Sequence, residues 1–473
     1  MPLVLGIDSS TQSTKAELRD ADTGRVVGSG HAPHPPTHPR RSEQDPAAWW
    51  QALLDARNQT GSVAPQAVAV AAQQHGLVAL DDKAQVIRPA KLWNDTESAP
   101  DAEWLIEQLG GPAVWAELCG TVPVAALTVT KLSWLHRQEP ENFARIARVV
   151  LPHDWLTGRI AGRYVTDRGD ASGTGYWSPR EGRYLPEVLT VVDAERDWSG
   201  CFPKVLGPLE PAGQRENVTI GPGTGDNMAA ALGVSLRPGD VAVSLGTSGV
   251  IATVSDEPTA DPTGAVAGFA DATGRFLPLV CTLNATKVTD AIAGLLHVDP
   301  AGLDQLALQA PPGAGGVVLV PYFDGERTPN RPDATGTLTG LRSDVTAEQV
   351  ARAAFEGVVC GLLDGLDALR AAGAPVDGRL VLVGGGARSR AYQRVLADLS
   401  ACPVEVPRGE QVAAGACVQA AAVLHQRPPE EVASEWGLDG ARAVEPDLRV
   451  DAEAVRARYA AARGEDAPEG EAR

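Results

Sequence analysis

The residues most able to do chemistry sit in a few short stretches of small, hydroxyl-bearing and acidic side chains. Gly225-Asp226-Asn227-Met228 opens a run of small residues that reads as a helix with Asp226 at its N-terminus. A carboxylate there can simply cap the helix. It can also take the proton of an attacking alcohol while a phosphoryl group is aligned opposite it. Two further stretches suit phosphate. The apolar strand ending Gly6-Ile7-Asp8 runs into Ser9-Ser10-Thr11-Gln12-Ser13-Thr14, and Val241-Ala242-Val243-Ser244-Leu245 runs into Gly246-Thr247-Ser248-Gly249. Successive backbone N–H groups in such turns form an anion nest, and the hydroxyls add donors. Asp8, at the strand's carboxyl end, can organise its turn or hold a metal ion through water.

Other stretches suit a sugar or a flat ligand. Gln73-Gln74-His75-Gly76 follows the apolar strand Ala67-Val68-Ala69-Val70-Ala71, and three hydrogen-bonding side chains at a strand end fit a polyhydroxylated ligand. Leu92-Trp93-Asn94-Asp95 has the same character, with a tryptophan that can stack on a sugar or fill a core. Gly384-Gly385-Gly386-Ala387 after Leu380-Val381-Leu382-Val383 lets a flat ligand approach the backbone closely. Neither G-x-x-x-x-G-K-[ST] nor a strand-to-helix G-x-G-x-x-G is present, which excludes a P-loop and a Rossmann fingerprint.

These stretches need elements to hold them. The strand–turn–strand around Asp8 recurs around Gly246, half a chain later, as expected for a duplicated two-domain α/β protein with a cleft between its halves. Asp45-Pro46 predicts a helix start with Asp45 as N-cap. Thr346-Ala347-Glu348-Gln349 predicts a capping box opening a long helix, with an apolar stripe at Val350, Ala354, Val358, Leu362, Leu366 and Leu369 and a stop at Gly373. Helices are also expected at 389–399, with Ser389 as N-cap, and at 411–425. The turn-rich stretch near 225–240 marks a domain boundary, giving domains at 1–233 and 234–445, then a C-terminal helix and disordered tail at 446–473.

A chain of 473 residues is long enough for such cores without disulfides or structural metal. Its net charge of −19 argues against nucleic acid or an anionic membrane as partner, since both would repel it. No apolar run approaches a membrane span, and no leader is expected. The six cysteines are scattered without metal-ligand spacing, as for reduced thiols of a cytoplasmic protein. The oligomeric state is left open, with a homodimer as one option.

Taken in order, the motifs resemble the FGGY carbohydrate kinases, and within that family the xylulokinases. The likeness spans about residues 3 to 430. It rests on the stretches above together with Ser42-Glu43-Gln44-Asp45-Pro46, Trp49-Trp50, Pro321-Tyr322 and Gly325-Glu326-Arg327-Thr328-Pro329. The resemblance implies two actin-like ATPase (ribonuclease H-like) domains with a catalytic cleft between them. It implies ATP and Mg²⁺ as cofactors, and transfer of the γ-phosphate to the C5 hydroxyl of D-xylulose. By the same resemblance Asp226 is the catalytic base and Asp8 helps to place Mg²⁺-ATP, with both as metal candidates. Gln74, His75, Trp93, Asp95, Asp226 and Asn227 fall on the sugar side. Thr11, Gln12, Ser13, Gly246 and Thr247 fall on the phosphates, and Gly385 and Gly386 on the adenosine side.

Three departures stand out. Gln74-His75 replaces a common Met-His, Ser9-Ser10-Thr11 replaces a commoner Gly-Thr-Ser/Thr, and Phe323-Asp324 precedes Gly325 where smaller or uncharged residues are usual. None removes a group the chemistry requires. The alternatives are a kinase of the same family acting on ribulose, gluconate or glycerol, a non-catalytic sugar sensor on this scaffold, or a bare ATPase.

Overall fold

The computed structural model describes residues 2–37 and 40–464. Beyond Gly464, the expected tail lies outside the described residues. The protein is a mixed α/β chain whose contacts sort it into two compact units. One comprises 1–237, 254–278 and 409–440. The other comprises 238–253, 279–408 and 441–473.

The first unit is built on the strand Leu3–Ser9, buried along its whole length. It pairs antiparallel with Ser13–Asp20, placing Asp8 opposite Lys15. On its other side it pairs parallel with Ala67–Ala72, placing Ser9 beside Ala72. Val26–Pro33 extends the sheet at one edge, and Val218–Ile220 and Gly213–Arg215 extend it at the other. The unbroken apolar runs of the two central strands follow from burial on both faces. Leu5 and Ile7 join Trp49 and Trp155 in one core cluster. Trp49 lies on the helix Pro46–Gln59, which Asp45 caps through the Ala47 N–H at 2.9 Å. Gly6, between them in the strand, faces the opposite way. A Cβ there would lie 2.3 Å from the Ala413 carbonyl and 2.6 Å from the Cys417 nitrogen. The glycine therefore lets the Ala-rich helix Gln411–His425 rest directly on the sheet. That helix meets Asp226–Gly233 just as closely, because a Cβ at Gly233 or Gly415 would come within 1.9 Å of the other's backbone oxygens.

The second unit repeats the hairpin. Val241–Leu245 pairs antiparallel with Gly249–Thr253 and parallel with Leu380–Val383. Val404–Pro407 and Ala441–Val444 continue beyond it. Both turns are tighter than the sequence suggests: Ser13 and Thr14 already belong to the returning strand, as does Gly249. The helix Ala347–Ala371 opens with both bonds of the Thr346–Gln349 capping box and ends before Gly373, whose φ is +81°. Ala354, Val358, Leu362 and Leu369 are buried along it, while Val350 and Leu366 are half-buried. Ser389 caps Arg390–Ser400. All six cysteines are free thiols; Cys119, Cys201, Cys360 and Cys417 are buried. Among the described residues no helix is long and apolar enough to cross a membrane.

Candidate active site

In the first unit, Asp8 and Asp226 stand at the ends of elements that the glycine contacts hold together. Asp226 is the first residue of its helix. It does not cap that helix; its Oδ1 accepts from the Asn227 backbone N–H at 2.8 Å and from Asn227 Nδ2 at 3.2 Å. Burial pushes its carboxyl up to about 7, and the charges of Asp8 and Asp170 add to the rise. Asp8 is likewise pushed up to about 7, by burial above all; Lys15 acts against the rise, and Glu410 and Glu17 reinforce it. Its Oδ1 is buried without a hydrogen-bond partner. Two mutually repelling carboxylates, one with an unpaired buried oxygen, form a hard-oxygen donor set that fits a magnesium ion.

Asn227 also links Asp226 to the Gln73–Gly76 stretch, since its Nδ2 donates to Gln74 Oε1 at 2.8 Å. Gln74 packs so close to Gly225 that a Cβ there would lie 2.6 Å from Gln74 Cγ. His75 has a left-handed backbone, φ +65°, and its Nδ1 lies 2.7 Å from the Gly173 carbonyl oxygen. An Nδ1–H donated to that carbonyl fixes the ring's orientation. Gly173 closes the short helix Arg168–Ser172. Trp93 Nε1 donates to Thr11 Oγ1 at 2.9 Å, and Thr11 Oγ1 donates to Gln73 Oε1 at 3.0 Å. Thr11 of the Ser9–Ser13 turn therefore touches Trp93. Ser13 is half-buried and closes the turn, its carbonyl accepting from the Ser10 N–H and hydroxyl at 3.0 Å each. Gln12 is exposed and holds the His34 N–H through its carbonyl at 2.7 Å.

Asp95 differs from the other sugar-side candidates. It is fully buried, with Oδ2 bound to Lys91 Nζ at 2.9 Å and the Ser42 N–H at 2.9 Å, and Oδ1 bound to the Glu97 N–H at 3.1 Å. It holds the loop that carries Trp93 and offers no open oxygen. Glu43, Asp95 and Glu97 cluster as metal ligands would. Lys91 Nζ already fills that place, 2.6 Å from Glu97 and 3.3 Å from Glu43. The Ser42-Glu43-Gln44 stretch is thus scaffolding. Its Gln44 Nε2 holds the Thr11 carbonyl at 3.0 Å, while its Oε1 accepts from Trp49 at 2.7 Å.

The sequence did not single out the buried group of His153, Asp154, Asp167 and Asp170. His153 Nδ1 lies 2.6 Å from Asp170 Oδ2, and Nε2 lies 3.2 Å from Asp154 Oδ1. Burial alone would lower the imidazole, but Asp154, Asp170 and Asp167 outweigh it and hold the ring protonated, up to about 9. Through Asp170, His153 anchors the short helix whose capping residue, Gly173, orients His75 by its carbonyl. Pro152-His153-Asp154 and Asp167-Arg168-Gly169-Asp170 are the only local traces of it, and both read as ordinary helix starts.

In the second unit, Gly246, Thr247, Gly385 and Gly386 line one cavity of about 700 Å³, with Asp304, Phe355 and Tyr392 among its walls. The Gly246 turn is exposed, and its carbonyl accepts from the Thr286 N–H at 2.9 Å. Gly384 has φ +85°, turning the chain from strand to the one-turn helix Gly385–Arg388. A Cβ at Gly386 would lie 2.8 Å from Leu245 Cβ, whereas one at Gly385 would meet nothing nearer than 3.9 Å. Gly386 is thus set by packing, and Gly385 by the open space before it. A cavity of this size with a glycine floor suits a nucleotide. Asp324, whose role the sequence left open, pairs with Lys287 at 3.0 Å on the surface.

Comparison with known proteins shows the family and the fold. Residues 3–233 match the N-terminal domain of the FGGY family of carbohydrate kinases, and 241–424 match its C-terminal domain. The chain is 48% identical over 447 residues to a xylulose kinase of Streptomyces rubiginosus, covering 92% of this chain and 91% of that one. It superposes on the crystal structure of xylulose kinase from Bifidobacterium adolescentis with a TM-score of 0.87 and 42% identity, over 98% of this chain and 99% of the other. The glycerol kinase of Plasmodium falciparum, at 19% identity, shares the fold, with a TM-score of 0.85 over 98% of each chain.

Proposed function

This chain belongs to the FGGY family of carbohydrate kinases and has their actin-like ATPase fold, and from that premise we propose that it phosphorylates D-xylulose at the C5 hydroxyl, giving D-xylulose 5-phosphate and ADP. The observation that carries the reading is the linked set Asp226–Asn227–Gln74 beside Asp8. A proton acceptor raised toward neutrality is there tied to a hydrogen-bonding strand end. The 48% identity to a relative named xylulose kinase supports the sugar.

Asn227 occupies Asp226 Oδ1, which leaves Oδ2 to accept the C5 hydroxyl proton. The alkoxide oxygen forms a bond to the γ-phosphorus as the bond to the bridging oxygen of ADP breaks, and the proton passes later from Asp226 to solvent. Gln74, His75 and Trp93 bind the sugar, and Asp95 acts by holding the Trp93 loop. Thr11, Gln12 and Ser13 offer donors to the phosphates from one turn, and Gly246 and Thr247 from the other. Gly385 and Gly386 give the nucleoside a flat floor. Asp8 and Asp226 would hold Mg²⁺, which when bound supplies positive charge against the phosphates. A cytoplasmic enzyme drawing on the ATP pool completes the reading.

Asp226→Asn tests the mechanism. The amide keeps the shape and the Asn227 contacts but cannot take a proton. The expected result is a fall in kcat of about 10²–10⁴-fold with sugar and nucleotide binding retained. Normal turnover by a folded variant would remove Asp226 as the base. The near rival is a kinase of the same family for another sugar or polyol such as ribulose, gluconate or glycerol, against which the Gln74-His75-Gly76 stretch favours xylulose.

A further inference from the structure

The two glutamines that follow the strand Ala67–Ala72 share an arrangement. Gln73 Oε1 accepts from Thr11 Oγ1 at 3.0 Å, and Gln74 Oε1 accepts from Asn227 Nδ2 at 2.8 Å. Both side chains are buried, at 1% and 3% exposure, and neither Nε2 has a hydrogen-bond partner. In folded proteins most buried polar groups are paired, and leaving a donor unpaired is costly. One such amide could be a local packing fault. Two in succession, each held by its oxygen from a different part of the candidate site, point to oxygens of a ligand.

The orientation of Gln73 is set from both sides of the chemistry. Trp93 Nε1–H can only donate, and it donates to Thr11 Oγ1 at 2.9 Å. The Thr11 hydroxyl passes its own proton on to Gln73 Oε1. The chain runs one way, from the sugar-side tryptophan through the phosphate turn to the amide, and turns the N–H₂ group away from Thr11. Gln44 fixes the Thr11 backbone through the carbonyl. The Gln73 N–H donates to the Ser9 carbonyl at 3.0 Å, which keeps the residue beside the turn.

We propose that Gln73 is a specificity-determining residue whose side-chain N–H₂ donates to an oxygen of the bound substrates, with Thr11 and Trp93 as its positioning residues. The acceptor is a sugar hydroxyl or an oxygen of the transferring phosphoryl group; the two share the same chemistry. The inference rests on the kinase reading for the identity of those ligands.

The test compares full-length wild type with Gln73→Met and Gln73→Glu in steady-state kinetics with Mg²⁺-ATP and D-xylulose, and in thermal melts with and without each ligand. Methionine keeps the shape and removes both the donor and the oxygen that accepts from Thr11. Glutamate keeps an oxygen for Thr11 and replaces the donor by an acceptor. Gln73→Met is expected to melt, ligand-free, close to wild type, because the loss of the buried unpaired donor offsets the loss of the oxygen that accepts from Thr11. Its kcat/KM for the sugar should fall 10–100-fold, and that of Gln73→Glu should fall further. A rise in sugar KM alone assigns the acceptor to a sugar hydroxyl; a fall in kcat with both KM values unchanged assigns it to the phosphoryl group. Retention of kcat/KM within twofold by both variants overturns the proposal. So does a ligand-free Tm several degrees lower in Gln73→Met with a loss of activity no larger than the loss of folded protein. Should wild type ignore D-xylulose, the sugar assignment fails separately. The Gln73 comparison is then made on the polyol that wild type does turn over, or on the ligand-induced rise in Tm, which needs no turnover.

Discussion

Asp8 differs from Asp95 and Asp167, two other buried carboxylates of its unit, in what it leaves unmade. Asp95 has both oxygens bound, and Asp167 accepts from two backbone N–H groups and from Thr224 Oγ1. Asp8 keeps an oxygen without a partner. Residue type and order revealed the stretches, but not this difference, because Asp95 and Asp8 look alike until Lys91 and the Ser42 N–H are placed. Two predictions belong to this scale. A Cβ on Gly173 would lie 2.5 Å from His75 Cε1 and Nδ1, although its φ suits any residue. Gly173→Ala should therefore displace the imidazole and raise the sugar KM about tenfold while the ATP KM stays put, as read by steady-state kinetics. His34 contacts Thr14 Oγ1 at 2.8 Å, and burial pushes its ring down to about 4. Between pH 6.5 and 4 the unfolded chain takes up a proton that the folded protein refuses. His34 thus withdraws stability as pH falls through that window, by up to about 1.4 kcal/mol per pH unit. Urea unfolding at pH 7.5 and 4.5 should show a smaller loss in His34→Gln than in wild type.

At the scale of elements, local code carried far. Asp45-Pro46, the Thr346–Gln349 capping box and Ser389 each start a helix where their hydrogen-bonding capacity places one. The Ala-rich segment at 411–425 reads as a helix from its composition. That it lies against the first strand does not, since the contact depends on the absent side chains of Gly6, Gly233 and Gly415, some 200 and 400 residues apart in sequence. This helix sets where Asp226 starts, and Ala71, Ala229 and Ala416 form the small cluster that locks it. Gly6→Ala pushes a methyl group into the Ala413 carbonyl and should cost about 1–3 kcal/mol. Guanidinium unfolding would show it as a lowered midpoint with the slope unchanged.

For the whole molecule, the sequence repeat shows a doubled hairpin, and both copies are present with a parallel strand beside each. What the repeat does not carry is which later segments return to each unit: 254–278 and 409–440 pack with the first. A fragment ending at residue 237 therefore lacks the helix that covers Gly6 and Gly233. It should remain aggregated or unfolded by circular dichroism and proteolysis, and adding 409–440 through a linker should improve its cooperativity. The central claim, a kinase whose sugar is D-xylulose, is tested most directly by ADP release from Mg²⁺-ATP across D-xylulose, D-ribulose, L-ribulose, gluconate, glycerol and no sugar. The account predicts turnover with D-xylulose far above every other acceptor and near-zero release without sugar. Turnover strongest on another polyol, or equal with and without sugar, would contradict it.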